Sequence, residues 1–291
     1  MQNKKKFSKI IAGTMTWGSW GKNFSRQEMT ALMRYCVQEG ITTFDHADIY
    51  GGYSTEAAFG KAYVESEVNR DEIQLITKCG IQMVDESRSN RVKHYDYSKE
   101  YIVWSAEQSL KNLKTDYIDL FLLHRPSPLM QAEPIAEAIS TLLEGGKIKS
   151  FGVSNFSPAQ IAFLEAAVPV AGNQVEFSLT ANQVMYDGSL DDCSARDRMA
   201  MSWSPLGSYF REDTSQTKRI QQAMEPMLIK YNATSDQLLL AWVLKHPAKV
   251  YPVVGTSSRK RLSASMEATK IDLELEDWFV LLEASTGHEV P

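Results

Sequence analysis

Four titratable residues stand where short apolar runs of the chain end, and their types suit proton transfer. Asp45 ends the run "TTFD", and Tyr50 follows five residues later. Lys78 ends "IQLITK", and His124 ends "IDLFLLH". An ammonium beside a phenol favours the phenolate, so we expect Lys78 to lower the pKa of Tyr50 from its usual value of about 10 toward neutrality. With Asp45 paired to Lys78, and His124 hydrogen-bonded to the phenol and to a substrate carbonyl, the set predicts an acid that protonates a developing alkoxide.

Residues at the ends of later apolar runs suit a planar ligand that carries a carboxamide. "GVSNF" (152–156) and Gln174 in "NQVE" offer side chains that hydrogen-bond an amide. Trp203 opens "WSPLGS" (203–208) and offers a flat face on which a ring can stack. The Pro- and Gly-containing turn that follows is predicted to present free backbone amides.

A phosphate site is predicted where the last apolar run ends. The segment "VVGTSSRKRLSAS" brings Gly255, Thr256, Ser257 and Ser258 to a helix start, with the basic run 259–261 just behind. Amides at a helix N-terminus, hydroxyls and a guanidinium together cradle a phosphate, and barrel phosphate sites commonly follow the seventh and eighth strands. No G-x-G-x-x-G occurs in the chain, so a dinucleotide would be bound without a Rossmann unit.

Eight strand-like runs alternate with helical patterns and must position these residues. The predicted strands are 9–14, 42–45, 73–78, 118–124, 150–154, 172–176, 200–204 and 250–255. Among the helices, "SRQEMTALMRYCVQEG" has a capping box in Ser25 and Glu28 and a stop in Gly40, and Ser157 caps "SPAQIAFLEAA". An additional helix opened by Ser235 or Asp236 and a C-terminal helix within 272–288 complete the set.

Alternation of strands and helices predicts right-handed βαβ units, and their economical closure is a (β/α)₈ TIM barrel. We expect one domain over residues 1–291, since about 250 residues is typical of that fold. Two long connections, 79–98 and 205–216, follow the C-terminal ends of the third and seventh strands. That end of a barrel carries the active site, so these loops are predicted to form substrate walls or a cofactor strap.

Composition narrows the class of protein. The net charge of −5 gives no broad positive field, so we expect no nucleic-acid partner. The chain has no apolar run of the length that spans a membrane, and its polar start "MQNKKKFSK" lacks the apolar centre of a signal peptide, so we expect a cytoplasmic protein. Cys36, Cys79 and Cys193 are odd in number and widely spaced, and they are predicted to be reduced, packed thiols rather than metal ligands.

The chain resembles the aldo-keto reductases over nearly its whole length, and most closely a branch of bacterial oxidoreductases. The matching segments are "FDHADIYGG", "EAAFGKA", "ITKCGI", "SAEQSLKNLKTDYIDLFLLHRP", "GKIKSFGVSNFSPAQ" and "NQVEFS". The resemblance implies a (β/α)₈ barrel, NADPH (with NADP⁺ as its oxidised form) as the hydride donor, and reversible reduction of aldehydes or ketones to alcohols. It implies no metal.

The resemblance also implies roles for particular residues. The implied catalytic tetrad is Asp45, Tyr50, Lys78 and His124, with Tyr50 as the general acid. The implied cofactor contacts are Thr14, Met15, Asp45, Ser154, Asn155, Gln174, Trp203, Ser204, Pro205, Leu206, Gly207, Ser208, Gly255, Thr256, Ser257 and Arg261. In this set, 154, 155 and 174 would hold the carboxamide, 203 would stack on the nicotinamide, and Arg261 would meet the 2′-phosphate. Many members of the family carry a Lys where this chain has Gly255, which removes one cation from the phosphate end.

The substrate is predicted to be a small-molecule carbonyl compound. Trp17, Trp20 and Tyr53 are candidates for an aromatic substrate pocket, although each also suits a core or lid position. Arg125 follows His124 directly, so it is a candidate contact for an anionic substrate, with a rim ion pair as the alternative.

Three other functions remain open on the residues alone. A Schiff-base aldolase would use Lys78 as a nucleophile, although the Asp45 partner and the phosphate cradle argue against it. A metal-dependent hydrolase is weaker, because no H-x-H pair occurs among the five histidines. A nucleotide-sensing regulatory barrel, like a channel β subunit, would bind the cofactor tightly with little turnover, and Trp203 keeps that alternative open.

Overall fold

A closed barrel of eight parallel strands forms the centre of the computed structural model, which describes residues 7–291. The strands are β1 Ile11–Gly13, β2 Thr43–Asp45, β3 Gln74–Cys79, β4 Ile81–Gln82, β5 His94–Tyr95, β6 Leu120–Leu123, β7 Phe151–Ser154, β8 Gly172–Glu176, β9 Met199–Trp203 and β10 Tyr251–Val254. All except β4 and β5 belong to the barrel, in the order β1-β10-β9-β8-β7-β6-β3-β2. The eight predicted strands and the TIM-barrel closure are therefore confirmed.

Helices surround the barrel, and the predicted caps are in place. The helices are α1 Arg26–Gln38, α2 Tyr50–Tyr53, α3 Thr55–Ser66, α4 Lys99–Leu113, α5 Ala132–Glu144, α6 Pro158–Glu165, α7 Ser189–Ala195, α8 Ser215–Lys230, α9 Ser235–Leu244, α10 Arg259–Ala268 and α11 Leu275–Thr286, with 3-10 turns at Arg70–Glu72 and Gln183–Met185. Ser25 and Glu28 form the predicted capping box of α1, and Ser157 caps α6. The additional helix α9 begins at Ser235 with Thr234 as its N-cap residue, and α11 is the predicted C-terminal helix.

The barrel interior is filled by an apolar layer below the polar mouth. Its buried members, contributed by five strands, are Ile11, Ile76, Leu120, Leu122, Met201 and Val253. Side chains two residues apart on a strand share a face, so the residue two positions beyond a core residue projects into the same interior one layer higher. Ile76 is followed in this way by Lys78, Leu122 by His124 and Met201 by Trp203.

The long connection 79–98 is held against the barrel by a small hairpin. Strands β4 and β5 pair antiparallel, with Ile81 opposite Tyr95. Gly80 adopts φ +108, and a Cβ there would lie 1.9 Å from the ring of Tyr97, so only glycine lets that ring pass. The second long connection, 205–216, has no strand, and α8 begins within it at Ser215.

Other predictions concern the termini and the thiols. The basic run 3–6 lies outside the described residues, as does most of the polar start of the chain. Across residues 7–291, no helix is both long enough and apolar enough to cross a bilayer.

Cys36, Cys79 and Cys193 are buried free thiols, and burial raises the pKa of each. They are packing residues.

Candidate active site

Asp45 and Lys78 form a buried ion pair at the mouth of the barrel. The Lys78 Nζ lies 2.8 Å from both carboxylate oxygens of Asp45, and it also donates to the backbone carbonyl of His46 at 2.7 Å. Both side chains are almost fully buried. Burial alone would lower the pKa of Lys78, but Asp45 and Tyr50 outweigh it, so its pKa is raised and the ammonium persists.

Tyr50 stands over this pair, with its hydroxyl 3.4 Å from the Lys78 Nζ. Burial of the hydroxyl raises its pKa and outweighs the opposing attraction of Lys78. The expectation that Lys78 brings the Tyr50 pKa down toward neutrality is therefore wrong, because the hydroxyl loses more solvation than one cation at this distance restores. Tyr50 is protonated at neutral pH, which is the form that a general acid requires.

The Gly pair after Tyr50 allows the chain to turn from β2 into α3. Gly51 and Gly52 have φ values of 62° and 60°, a left-handed conformation that glycine adopts without strain. A Cβ on Gly51 would also lie 2.5 Å from the Thr55 hydroxyl. The turn brings Tyr50 back over the barrel within reach of Lys78.

His124 lies beside Tyr50 with its ring edge-on, and the two ring centroids are 6.1 Å apart. In the described part of the chain, no hydrogen bond joins the two side chains, and the buried Nδ1 of His124 has no partner. The expected His124–Tyr50 hydrogen bond is thus absent from this structure. Burial, then the positive charges of Lys78, Arg125 and Lys93, hold the pKa of His124 well below its usual value, so the imidazole is neutral.

A chain of hydrogen bonds runs from Asp45 across the mouth to Trp203. Gln174 Nε2 donates to Asp45 Oδ1 at 2.9 Å, and the Ser154 hydroxyl donates to the Gln174 backbone carbonyl at 2.9 Å. Asn155 Nδ2 donates to the Ser154 hydroxyl at 2.8 Å, and Trp203 Nε1 donates to Asn155 Oδ1 at 2.8 Å. The five residues form one connected network of hydrogen bonds. Because Gln174 Nε2 is committed to Asp45, Gln174 Oε1 is the atom left to accept from an incoming amide.

The turn after Trp203 presents fewer free amides than predicted. Ser204 and Gly207 are both left-handed, with φ values of 50° and 55°. The Gly207 amide donates to the Ser204 carbonyl at 2.8 Å, and the Ser208 amide donates to the Thr180 hydroxyl at 2.9 Å. These two amides are therefore used inside the protein, which corrects the expectation for this turn. Leu206 and Ser208 are half-buried beside Pro205, which is buried.

The predicted phosphate cradle is an exposed loop that leads into α10. Gly255 is exposed, and a Cβ there would meet nothing within 4 Å. Ser258, the N-cap residue of α10, makes no side-chain capping bond, so the first-turn amides of α10 receive no cap from it. The Ser258 amide itself donates to the Thr256 hydroxyl at 3.2 Å. Ser257 is half-buried and Arg261 is exposed, so both are accessible to a phosphate.

Thr14 and Met15 begin the loop that follows β1, and their side chains have different surroundings. The Thr14 hydroxyl is fully buried, donates to the Asp45 carbonyl at 2.9 Å and lies 2.8 Å from His46 Nδ1. The Thr14 side chain is therefore used in hydrogen bonds inside the protein, and it is too deeply buried for the cofactor contact expected of it. Met15 is 46% exposed. Sequence reasoning missed His46. Its buried ring contacts the Thr14 hydroxyl, and its backbone carbonyl accepts from Lys78. In the sequence, only its position next to Asp45 pointed to a role in the site.

Of the predicted substrate residues, Trp17 is placed elsewhere. It is fully buried and packs against Phe44 and Phe59, with ring centroids 6.1 Å away in each case, so the core explains it and its predicted substrate contact is wrong. Trp20 is 43% exposed, and its ring centroid lies 6.2 Å from that of Tyr50, so it does line the mouth. Tyr53 accepts a bond from the Met83 amide at 2.8 Å and is fixed to the long loop.

Two further carboxyl groups are buried behind the site, and sequence reasoning did not single them out. Burial raises the pKa of Asp48 to about 8, with Glu56 adding to the effect. Asp48 accepts hydrogen bonds from the hydroxyls of Tyr101 at 3.3 Å and Ser105 at 3.2 Å. Burial also raises the pKa of Glu56, which accepts from the Thr77 hydroxyl at 2.6 Å.

The fold and the site together define a (β/α)₈-barrel enzyme with an Asp, Tyr, Lys and His set at the C-terminal mouth. The aldo/keto reductase family model matches residues 9–283, and the chain belongs to that family of oxidoreductases. Its relatives include the uncharacterized oxidoreductase YcsN of Bacillus subtilis, 42% identical over 98% of this chain and 96% of that one. Oxidoreductase YdhF of Escherichia coli is 38% identical over 98% of this chain and 96% of that one. A 6-dehydroglucose reductase of Agrobacterium fabrum is 36% identical over 100% of this chain and 98% of that one.

Solved structures share the fold. An aldo/keto reductase from Klebsiella pneumoniae, in complex with NADP and acetate, superposes with a TM-score of 0.79 at 26% identity, covering 97% of this chain and 92% of that one. Glycerol dehydrogenase from Gluconobacter oxydans superposes with a TM-score of 0.86 over 98% of this chain and 93% of that one. At 21% identity, this likeness concerns the fold alone.

Proposed function

We propose that the protein is an NADPH-dependent reductase that converts the carbonyl of a small aldehyde or ketone to an alcohol, with Tyr50 as the general acid. The observation that carries this proposal is the position of the Tyr50 hydroxyl, 3.4 Å from the Lys78 ammonium, which Asp45 holds by both oxygens. A protonated phenol with a fixed cation beside it can release its proton to an alkoxide, because the phenolate that remains is stabilised by charge.

The residues present fit a nicotinamide dinucleotide. Gln174 Oε1 and the Asn155 amide can hold a carboxamide, and the indole of Trp203 is fixed through its Nε1 for stacking. Thr256, Ser257 and the uncapped first turn of α10 suit the phosphates, and the exposed Arg261 suits a 2′-phosphate. When bound, the cofactor supplies a hydride to the carbonyl carbon. The NADP-bound relative from Klebsiella pneumoniae supports this choice of nucleotide.

The protein's own residues have separate tasks in this mechanism. Tyr50 gives its proton to the carbonyl oxygen as negative charge develops there. Lys78 stabilises the phenolate, and Asp45 keeps Lys78 in place and offsets its burial cost. His124 is neutral, so it can orient the carbonyl by a hydrogen bond without adding a charge to the site. The buried Nδ1 of His124 has no hydrogen-bond partner among residues 7–291.

The test begins with cofactor binding. Purified protein is titrated with NADPH and, in parallel, with NADH, following nicotinamide fluorescence. Turnover is then measured on aldehydes, ketones, dicarbonyls and 6-dehydroglucose, the last because of the name of the Agrobacterium relative. We expect NADPH to bind more tightly than NADH and at least one carbonyl to be reduced.

The variant Tyr50→Phe tests the general acid. It should keep NADPH affinity and lose turnover by about 100-fold or more, since acid catalysis contributes about 10²–10⁴. Tyr117→Phe is the matched control, because Tyr117 precedes β6 at the opposite end of the barrel, and it should retain full rate. Tight NADPH binding without turnover of any carbonyl would favour the regulatory alternative, and absence of NADPH binding would refute both.

A further inference from the structure

Arg125 is a cation at the mouth of the barrel that pairs with no carboxylate of residues 7–291. It follows His124 directly at the end of β6 and is half-buried. Among residues 7–291 no salt bridge involves its guanidinium, so the predicted rim ion pair is absent. The guanidinium carbon instead lies 5.5 Å from the centre of the Trp203 ring, in a cation–π contact.

The surroundings hold Arg125 in this place. The Tyr97 hydroxyl contacts both backbone groups of Arg125: it donates to the carbonyl and accepts from the amide. Tyr97 is itself buried and lies over Gly80, where no larger residue fits. On the other side, the Asn155 bond to Nε1 fixes the Trp203 indole. Since β7 and β8 separate β6 from β9 in the barrel, the Arg125 side chain extends across the mouth toward Trp203.

The environment of His124 is positive although the whole chain carries −5. Lys78 is neutralised by Asp45, but Arg125 and Lys93 both add positive potential at His124. Asp48 and Glu56, the nearby buried carboxyls, have raised pKa values and so offset this potential less. A guanidinium stacked on an indole keeps its N–H edges free, and those edges match a carboxylate or phosphate bidentately.

We propose that Arg125 binds an anionic group of the substrate, so that the preferred substrates are short aldehydes or ketones that carry a carboxylate or a phosphate. This inference rests on the proposed reductase function and adds the substrate class. In the reaction the carbonyl carbon gains a hydride and its oxygen gains the Tyr50 proton, while NADPH is oxidised to NADP⁺. The anionic group keeps its charge and its bonds throughout, and its attachment to Arg125 places the carbonyl beside His124 and Tyr50.

The test compares matched substrates. Initial rates with NADPH are measured for 4-oxobutanoate and its methyl ester, and for a short aldehyde phosphate and the corresponding hydroxyaldehyde. Wild type, Arg125→Gln, Arg125→Lys and the control Lys149→Gln are assayed, because Lys149 is exposed and precedes β7 at the opposite end of the barrel. NADPH affinity is determined by fluorescence for each protein.

We expect wild type to prefer each anionic compound over its neutral partner. Arg125→Gln should lower kcat/KM about 10- to 100-fold for the anions, mainly through KM, and change it less than about threefold for the neutral compounds. Arg125→Lys should keep part of the preference, since it retains charge without the planar fork. Lys149→Gln should match wild type, and in both proteins the preference should weaken with added salt, whereas Arg125→Gln should show no such salt effect.

Several outcomes overturn the inference. Equal losses on charged and neutral substrates would make Arg125 a structural residue. A changed NADPH affinity with unchanged selectivity would assign Arg125 to the cofactor on the Trp203 face. Turnover of neutral carbonyls with no anion preference in wild type would refute the inference and leave the reductase proposal intact, whereas no turnover of any carbonyl would refute the reductase proposal itself. If Arg125→Gln does not fold, the ratio of rates for Arg125→Lys still decides.

Discussion

Gln174 and Asp45, 129 residues apart in sequence, meet at 2.9 Å through the Gln174 Nε2 and the Asp45 Oδ1. The same oxygen accepts a bond from Lys78. Asp45 is thus held by a cation from β3 and an amide from β8, two strands that are separated by β6 and β7 along one side of the barrel. The Asp45 carboxylate therefore links two sides of the barrel mouth and also pairs with the Lys78 ammonium.

Replacement of Gln174 by Met should measure how much the hydrogen bond between Gln174 and Asp45 stabilises the fold. The change keeps the length of the side chain and removes the donor, so a charged acceptor loses one hydrogen bond, worth about 1.5–3 kcal/mol. We expect the urea midpoint to fall accordingly. Gln183→Met, at an exposed position in a 3-10 turn, is the control and should leave the midpoint unchanged. Equal midpoints for both variants would show that this hydrogen bond contributes nothing.

Lys78→Met should be far more damaging, because it leaves the Asp45 charge buried without its partner. Breaking a buried pair in this way costs about 3–5 kcal/mol in the free energy of unfolding. The double variant with Asp45→Asn should recover much of that loss, since the uncompensated charge is gone. Lys147→Met, which removes an exposed partner of Glu107, should have little effect. A double variant as unstable as the single one would contradict the charge explanation.

The pH dependence of reduction should be flat over the range in which histidines usually titrate. Burial and the neighbouring cations lower the pKa of His124 below its ordinary 6.5, and burial raises the pKa of Tyr50 above its ordinary 10. Both groups therefore keep one protonation state from about pH 6.5 upward to about 10. The check is kcat/KM for a neutral carbonyl substrate across this range. A limb near pH 6.5 that disappears in His124→Gln would show that His124 titrates normally.

Asp48 should make the protein less stable as the pH rises. Its pKa is about 8 in the folded protein against an ordinary 3.8, so the folded state binds the proton more tightly than the unfolded state. The stabilisation from this proton is complete below about pH 3.8 and is lost as the pH rises through about 8. Asp48→Asn, which cannot ionise, should unfold at higher urea than wild type at pH 9 and show the smaller decline between pH 5 and 9. Parallel urea midpoints for the two proteins would contradict the assignment.

Gly80→Ala should disrupt the contact that supports Arg125. The new Cβ would lie 1.9 Å from the Tyr97 ring at a φ of +108, so both a clash and backbone strain oppose it, at a cost of about 3 kcal/mol or more. Gly146→Ala is matched for the left-handed backbone, with φ +68 and nothing within 4 Å, and should cost only about 1–2 kcal/mol. Thermal midpoints of the two variants separate clash from strain, and similar values would mean that the Tyr97 ring moves away freely.

The barrel could be predicted because its strands are short apolar runs bounded by turn residues, a local signal. Strands β4 and β5 were not predicted, because a strand of two residues is too short to show a pattern of alternation. The two residues of β5 are also exposed. The meeting of Asp45, Tyr50, Lys78 and His124 at one mouth could also be predicted, because each stands at or just after the end of a strand. The sign of the Tyr50 pKa shift could not, because it depends on how deeply the folded chain buries the hydroxyl.

Two nearby tryptophans show that residue type and position in the sequence do not by themselves predict burial. Trp17 and Trp20 are three residues apart in one loop, yet the first is fully buried against Phe44 and Phe59 and the second is 43% exposed near Tyr50. Nothing local distinguishes them, since the packing partners of Trp17 come from β2 and α3. The Gln174–Asp45 bond is unpredictable for the same reason: the two strands become neighbours of one cavity only when the barrel closes.

One of the partners of the Lys78 ammonium is the backbone carbonyl of His46, at 2.7 Å. A main-chain oxygen is present whatever side chain the position carries, so no point substitution can delete this acceptor. The path of the backbone therefore fixes part of the position of the ammonium, while Asp45 both holds the ammonium and balances its charge. A substitution of the His46 side chain therefore leaves this acceptor in front of the ammonium, as long as the backbone after β2 follows the same course.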